Sequence, residues 1–371
     1  MKRARLMATA TWILPAWLAC AAACYAPLNA QEADSGFNVR TTLSGLAATS
    51  NILEEAPRDG VPGTAGFRGV VYPSWKIDNN WFATGAVQLF TRPYFYSDFS
   101  ASGFGVKGNI LQASLNYTRI SDKGSLLLRA GELSSAFGSF LLRYDDADNP
   151  LIDIPSEYGY YYSQVSTFPV AAGEIDLTRG KWDGRAQFAN SSPANPRSIL
   201  AHDQYANWAG GMGYTIHQGF RIGVSGYRGP YLDKQYESYY TWWVSPRSEP
   251  ARALGLDASF ARNHSSVQVE VQKFVMPNSV VPTYVEWDSY AEFKQTLSPR
   301  WYVAMRPLLT RGSGGYRQRS VETAAVFRPN RFQILKLDYE IVKNNSTSPH
   351  NENTLAIQLV TTLGWSAAGR N

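Results

Sequence analysis

The stretch that decides the fold is Trp81-Phe82-Ala83-Thr84-Gly85-Ala86-Val87-Gln88-Leu89-Phe90-Thr91-Arg92, which follows the turn residues Asp78-Asn79-Asn80. Its odd positions, Trp81, Ala83, Gly85, Val87 and Leu89, are apolar, whereas Phe82, Thr84, Gln88 and Arg92 stand on even ones. Side chains along a strand alternate between two faces, so one face of this strand meets an apolar medium and the other a wet one. The pattern recurs where Val267, Val269 and Val271 interleave with Gln268, Glu270 and Gln272, and where Trp301, Val303 and Met305 interleave with Tyr302 and Arg306. It closes the chain in Leu355, Ile357, Leu359, Thr361, Leu363 and Trp365. A charge facing lipid at mid-bilayer costs about 2–4 kcal/mol. The charged set must therefore line an interior.

Working outward, the turn at Asp78-Asn79-Asn80 is the first of seven. The others are Ser121-Asp122-Lys123-Gly124, Arg179-Gly180-Lys181, His217-Gln218-Gly219, Asn263-His264, Ser298-Pro299-Arg300 and Pro329-Asn330-Arg331. They lie roughly 30 to 60 residues apart, room for two strands of about ten residues and one longer loop per period. Seven short turns and eight longer connections predict an all-β chain: a transmembrane antiparallel β-barrel of about sixteen strands, an even number that closes. Trp81, Trp182, Phe220, Trp301 and Phe332 stand at or just after the turns, and Trp75, Tyr117, Tyr214, Phe293 and Phe327 near the ends of the strands entering them. Rings gathered at one height from both strand directions predict an interfacial girdle. Pro73 and Pro307 fall inside proposed strands and predict bulges or the rim, because proline lacks a ladder donor. Arg262 and Lys273 lie on the lipid-side parity and must sit outside the hydrocarbon.

The composition agrees. The chain has 371 residues, 13% of them aromatic, with 30 Gly and a mean hydropathy of -0.28. No stretch beyond the first 30 residues reaches the ~18 apolar residues of a spanning helix, which excludes a helical transporter. Residues 1–30 read as a signal peptide: Lys2, Arg3 and Arg5, an apolar core from Trp12 to Ala23, and Leu28-Asn29-Ala30 before Gln31. Its removal takes both Cys, Cys20 and Cys24, and three basic residues, leaving residues 31–371 as one barrel domain of net charge +2. A disulfide framework and a thiolate metal site are excluded by this count. The basic pI of the full chain gives no ground for a nucleic-acid partner.

The longest irregular stretch follows the fifth strand, from about residue 139 to 165, and a loop of that length in a compact protein is usually functional. Asp145, Asp146, Asp148, Asp153 and Glu157 are the candidate constriction residues on it. Parity places Arg40, Arg92, Arg129, Arg185, Arg221 and Arg306 on the wet face as the candidate pore wall, with Glu270, Glu286, Asp288, Glu292, Glu322 and Asp338 on later strands. Acidic loop and basic wall would set a transverse field across an aqueous channel. The density of Asp145, Asp146 and Asp148 also makes them a calcium candidate, although Pro150 and the missing downstream Glu break the EF-hand pattern. No cofactor is implied. Asn263-His264-Ser265 is better explained as a turn than as catalytic machinery, and no nucleotide or nucleophile-elbow motif is present, so no enzyme is expected. Tyr94, Phe95, Tyr96 and Phe99, and Tyr231, Tyr236, Tyr239, Tyr240, Trp242 and Trp243, serve either loop packing or sugar stacking.

The strand Leu126-Leu127-Leu128-Arg129-Ala130-Gly131-Glu132-Leu133, followed by Ala136-Phe137-Gly138, resembles a segment of phosphate-selective and related Gram-negative porins. Gly131 and the Phe137-Gly138 pair carry the resemblance, which implies an outer-membrane porin, a pore loop after the fifth strand and a homotrimer. The expected activity is passive diffusion of small hydrophilic solutes or ions across the bilayer. The alternatives are a substrate-specific channel for anions, phosphate or sugars, and a non-conducting barrel such as an adhesin or enzyme.

Overall fold

The computed structural model describes residues 36–55, 62–96, 99, 105–139, 144–155, 158, 169–192, 195–196, 206–229, 250–277, 282–345 and 351–367. The signal peptide, residues 1–30, Glu157 and the aromatic cluster Tyr231–Trp243 lie outside them. Sixteen barrel strands follow one another. They are β1 (Phe37–Ser50), β2 (Gly63–Lys76), β3 (Trp81–Arg92), β4 (Gly105–Ser121), β5 (Gly124–Leu133), β6 (Val170–Arg179), β7 (Trp182–Ser192) and β8 (Ala206–His217). The second half comprises β9 (Phe220–Gly229), β10 (Ala251–Arg262), β11 (Ser265–Met276), β12 (Tyr284–Ser298), β13 (Trp301–Gly312), β14 (Arg317–Asn330), β15 (Gln333–Asn344) and β16 (Glu352–Ala367). Each pairs antiparallel with the next, and β16 returns to β1 in unbroken register from Phe37↔Ala367 to Ser50↔Thr354. The sheet is thus closed.

All seven tight turns stand where turn chemistry places them. At the sharpest, Asn263 takes a left-handed φ of 55°, a conformation Asn tolerates better than most residues. The sides follow the alternation. Val87, Leu89, Met212, Leu254, Leu256 and Ile357 are exposed on the outside, whereas Gln88, Glu270, Gln272, Lys336 and Gln358 are buried within. That is the reverse of a water-soluble protein, and it places the exterior in lipid. Among the described residues no helix is long and apolar enough to cross a membrane; the strands cross it.

The turn-following rings meet partners on neighbouring strands at one end. Trp81 and Tyr117 lie 5.2 Å apart, Trp182 and Tyr214 4.7 Å, Trp301 and Phe327 4.6 Å, and Phe37 and Trp365 6.1 Å. Short turns at this end make it the periplasmic one. Toward the opposite end, Lys273 does face outward, with its ammonium 4.8 Å from the centre of the Trp287 ring. A cation–π contact of this kind suits the interface rather than hydrocarbon.

The two prolines mark neither rim nor bulge. The β2–β3 ladder pairs Val71↔Val87 and resumes at Ser74↔Thr84, so Pro73 sits in the gap opposite Gly85. Likewise the β12–β13 ladder skips from Tyr290↔Leu308 to Phe293↔Met305 around Pro307. Each proline keeps its other neighbour, through Val39↔Pro73 and Pro307↔Val321. A missing donor interrupts one ladder over two residue pairs and the strand runs on.

Candidate functional site

The segment after β5 turns into the lumen, and two glycines make this possible. Gly131 has φ 142°, and a Cβ there would lie 2.1 Å from the Ala113 carbonyl oxygen. Gly138 has φ 77°, and its Cβ would collide with the Tyr158 hydroxyl. Between them Phe137 is wholly buried, edge-on to Phe274 at 5.7 Å and Tyr227 at 6.2 Å. Burying such a ring stabilises the seat by about 1.5–3 kcal/mol. Gln187 holds the backbone on one side, donating to the Ser134 carbonyl at 2.8 Å. Ser139 donates through its amide and hydroxyl to Glu270, at 3.1 and 2.8 Å, and the Tyr158 hydroxyl donates to the same carboxylate at 2.6 Å.

The acidic run then crosses to the opposite wall. The carbonyl of Asp145 accepts the amides of Asp148 and Asn149, both at 2.9 Å, and this turn is capped from outside by Lys336. The Lys336 ammonium is fully buried and donates to the carbonyls of Asp146, Asn149 and Leu151 at 2.7, 2.8 and 2.7 Å. Asp146 meets Arg68 at 2.6 Å and accepts the Tyr94 hydroxyl at 2.8 Å. Burial alone would raise the Asp146 carboxyl, but Arg68 and Lys336 hold it below the usual range. Arg68 is itself clamped by Gln88 at 2.8 Å and lies 4.3 Å from the Tyr144 ring centre. Leu151, wholly buried, packs among Tyr302, Ala304, Ala324 and Val326.

Asp153 ends the seat. Its amide donates to Glu322 at 2.9 Å and its carbonyl accepts from Arg306 at 2.5 Å. Burial pushes its carboxyl up to about 7, with Glu322 adding to the rise and Arg306 opposing it. Arg306 also binds Glu322 directly and Glu292 at 3.3 Å.

The candidate site residues fall into two groups, those that border the remaining cavity and those that hold the loop or lie elsewhere. Among the described residues of the acidic set, Asp145 and Asp148 border the cavity, whereas Asp146 pairs with Arg68, the Asp153 carboxylate accepts the Tyr96 amide and the Asp153 carbonyl accepts from Arg306. Of the six arginines, Arg40, Arg129 and Arg185 line the remaining cavity, whereas Arg92, Arg221 and Arg306 do not. Arg92 ends β3 near the rim, Arg221 is held beside the periplasmic turn by Asp183 at 2.6 Å and Asp257 at 2.7 Å, and Arg306 is covered by the loop. The later-strand acids Glu270, Glu292, Glu322 and Asp338 face inward but lie beneath the loop, not beside the opening. The carboxylates of the calcium candidate are drawn to different partners. Asp145 accepts from Thr42 and Arg40, Asp146 from Arg68 and Tyr94, and among the described residues no group of three metal-type ligands converges.

Tyr94, Phe95, Tyr96 and Phe99 fold inward too, buried with Leu46, Phe90 and Ile152 as a second plug beside the loop. Packing therefore takes the rings that sugar stacking would need exposed. Sequence reasoning missed Arg68 and Lys336. Both sit on the inward parity of their strands, so alternation marks them as interior without revealing what covers them.

The space left over is a cavity of about 260 Å³ between the loop and the wall of β1–β7. Arg40, its side chain half exposed, reaches Asp145 at 3.3 Å and Asp148 at 3.7 Å, and stacks 4.6 Å from the Tyr72 ring centre. Opposite, Arg129 bridges Glu174 at 2.6 Å and Asp176 at 2.5 Å. Arg185 donates to the Gly138 carbonyl, and no carboxylate lies within ion-pair distance of it among the described residues. Charge of both signs thus borders the remaining cavity.

No protein-family model and no curated protein matches the sequence. Solved structures do. An anion-selective porin from Comamonas acidovorans superposes with a TM-score of 0.61 at 10% identity, covering 89% of this chain and 100% of that one. This chain has the porin fold. An OmpF from Salmonella typhi, solved with daunomycin, gives a TM-score of 0.60 at 9% identity over 89% of this chain and 98% of its own. The trimer form of OmpT, an outer-membrane protein of Vibrio cholerae, gives 0.55 at 9% over 88% and 99%. Porin-fold architecture and a lipid-facing exterior place the barrel in the outer membrane.

Proposed function

We propose that this porin-fold barrel is a passive diffusion channel for small hydrophilic solutes, narrowed by the loop after β5. The observation that carries the reading is the one-sided seat of that loop. Most anchors from Phe137 to Asp153 lie on β8–β16 or on β1 and β2, with single contacts from Arg185 on β7 and Gln88 on β3, and the charged cavity remains between the loop and β1–β7. Arg40, Arg129 and Arg185 against Asp145, Asp148 and Glu174 form a nearly balanced rim. Such a rim passes polar solutes of either sign and disfavours apolar ones, which cannot replace the water they displace. The reading assigns no catalysis and no resident cofactor.

A substrate-specific anion channel is the second reading, favoured by Arg185, which lines the cavity and makes no direct ion pair among the described residues. A homotrimer and removal of residues 1–30 belong to the same proposal. The deciding measurement is stepwise conductance of the purified, folded barrel in a planar bilayer. Discrete openings support the channel; a folded barrel giving none sinks it. Current block by phosphate at low concentration in the same recording would favour the specific reading over the general one.

A further inference from the structure

On the outer surface of the barrel, at its periplasmic end, the turns after β4 and β6 flank a cleft of about 720 Å³ lined by Asp122, Lys123, Arg179, Lys181, Trp182 and Tyr214. Parity fixes its side. On β6, Ile175, Leu177 and Arg179 alternate outward against inward Glu174 and Asp176. Three cations therefore meet one carboxylate at the membrane interface. Lys123, Arg179 and Lys181 are all exposed, and Lys181 keeps two donors after giving one to the Ile216 carbonyl at 2.9 Å. Asp183, the next acid along the chain, points inward to Arg221 and cannot neutralise them.

The cleft continues upward as a groove. The outward side chains on β7 after Trp182 are Gly184 and Ala186, and the registers place Gly184 between Leu177 and Met212, and Ala186 between Ile175 and Gly210. Leu177 and Met212 stand half exposed on either side of the missing side chain. An apolar channel thus runs from hydrocarbon depth into a cationic pocket floored by two rings 4.7 Å apart.

We propose that this cleft and groove hold one anionic phospholipid of the periplasmic leaflet. Its phosphate sits among Lys123, Arg179 and Lys181, its glycerol region lies on Trp182 and Tyr214, and an acyl chain occupies the notch over Gly184 and Ala186. A phosphate diester is the group that such a cluster recognises at an interface. The adjoining apolar notch selects a lipid over a soluble anion. The inference depends on the barrel's place in the membrane and not on conduction.

The test uses the full barrel in nanodiscs with equal phosphatidylcholine and phosphatidylglycerol, followed by native mass spectrometry of retained lipid. The wild type retains phosphatidylglycerol in preference. Lys123→Gln, Arg179→Gln and Lys181→Gln each lower that preference about fivefold, while Lys123→Arg with Lys181→Arg keeps it. Gly184→Leu, which fills the notch, lowers retention whatever the headgroup. Heat-modifiable gel migration checks that each variant is folded. The proposal is overturned if the wild type shows no preference, or if the triple Gln variant keeps it. Equal loss on neutralising Lys76, Arg300 and Arg331, at distant turns, would assign the effect to diffuse rim charge and also overturn it. So would release of the lipid by excess inorganic phosphate, which identifies a bare anion site.

Discussion

Lys336 shows how one side chain can fix the seat of a loop inside a barrel. Its ammonium replaces water at three loop carbonyls that have no strand or helix partner, and it is buried on an inward strand position beside Asp338. Lys336→Met removes all three donors and leaves Asp146 with Arg68 as its remaining cation. Breaking a buried charged anchor of this kind costs about 3–5 kcal/mol. The strands do not depend on it. The expected outcome is a loop that leaves its seat while the barrel stays folded, seen as larger and noisier single-channel openings with an unchanged strand spectrum. Conductance equal to wild type would remove Lys336 from the loop's support. At this scale the sequence was legible only in part. Gly131 and Phe137-Gly138 announced a special loop entry, and the structure shows why: a left-handed backbone against Tyr158 and a ring that wedges the wall. Arg68 and Lys336 were readable as interior but not as anchors, because parity names a face and says nothing of a covering segment from elsewhere in the chain.

At the scale of the element, two carboxylates of the loop carry opposing pH responses. Asp153 has its folded pKa raised to about 7, so its contribution to seating is complete below the ordinary carboxylate range and is lost as pH rises through about 7. The groups facing it are Glu322 on β14, Arg306 on β13 and the Tyr96 amide. Asp146 has its pKa depressed, so its pairing with Arg68 holds above the ordinary range and fails only on acidification through the lowered value. Together these predict the tightest seating at mildly acidic pH. Amide-exchange protection of residues 144–153 should be greater at about pH 5 than at about pH 8, and Asp153→Asn should flatten the difference. Identical protection at both values would show that Asp153 does not govern the seat. The strands themselves were legible because turn residues and period-two alternation are local signals. The inward plug of Tyr94 to Phe99 was not, since its burial depends on Ile152 and Ala356, far away in sequence.

Across the whole molecule, charge is sorted by sector, though not as strand order alone suggests. The later-strand carboxylates serve as a bed for the loop, and the remaining cavity lies on the other side, where arginines and carboxylates interleave. Replacing Arg129 and Arg185 with Gln leaves Glu174 and Asp176 without their partner and removes the cation beside Gly138. The reversal potential in a salt gradient should move toward cation selectivity, with Arg185→Gln alone giving a smaller shift of the same sign. An unmoved potential would place the selectivity elsewhere in the lumen. The aromatic girdle was the most legible large-scale feature, because rings beside turns from strands of both directions can share one height only in a membrane-spanning sheet.

The seam between β1 and β16 carries a consequence for synthesis. Phe37–Ser50 emerges early, yet one of its edges finds its partner only when Glu352–Ala367 has been made. For nearly the whole of translation and export that edge is a template open to any stray strand, and the closing contact spans almost the full sequence, the slowest kind to form. The ring cannot be assembled piecemeal: until its final strand arrives the cell must keep an unfinished sheet from finding the wrong neighbour.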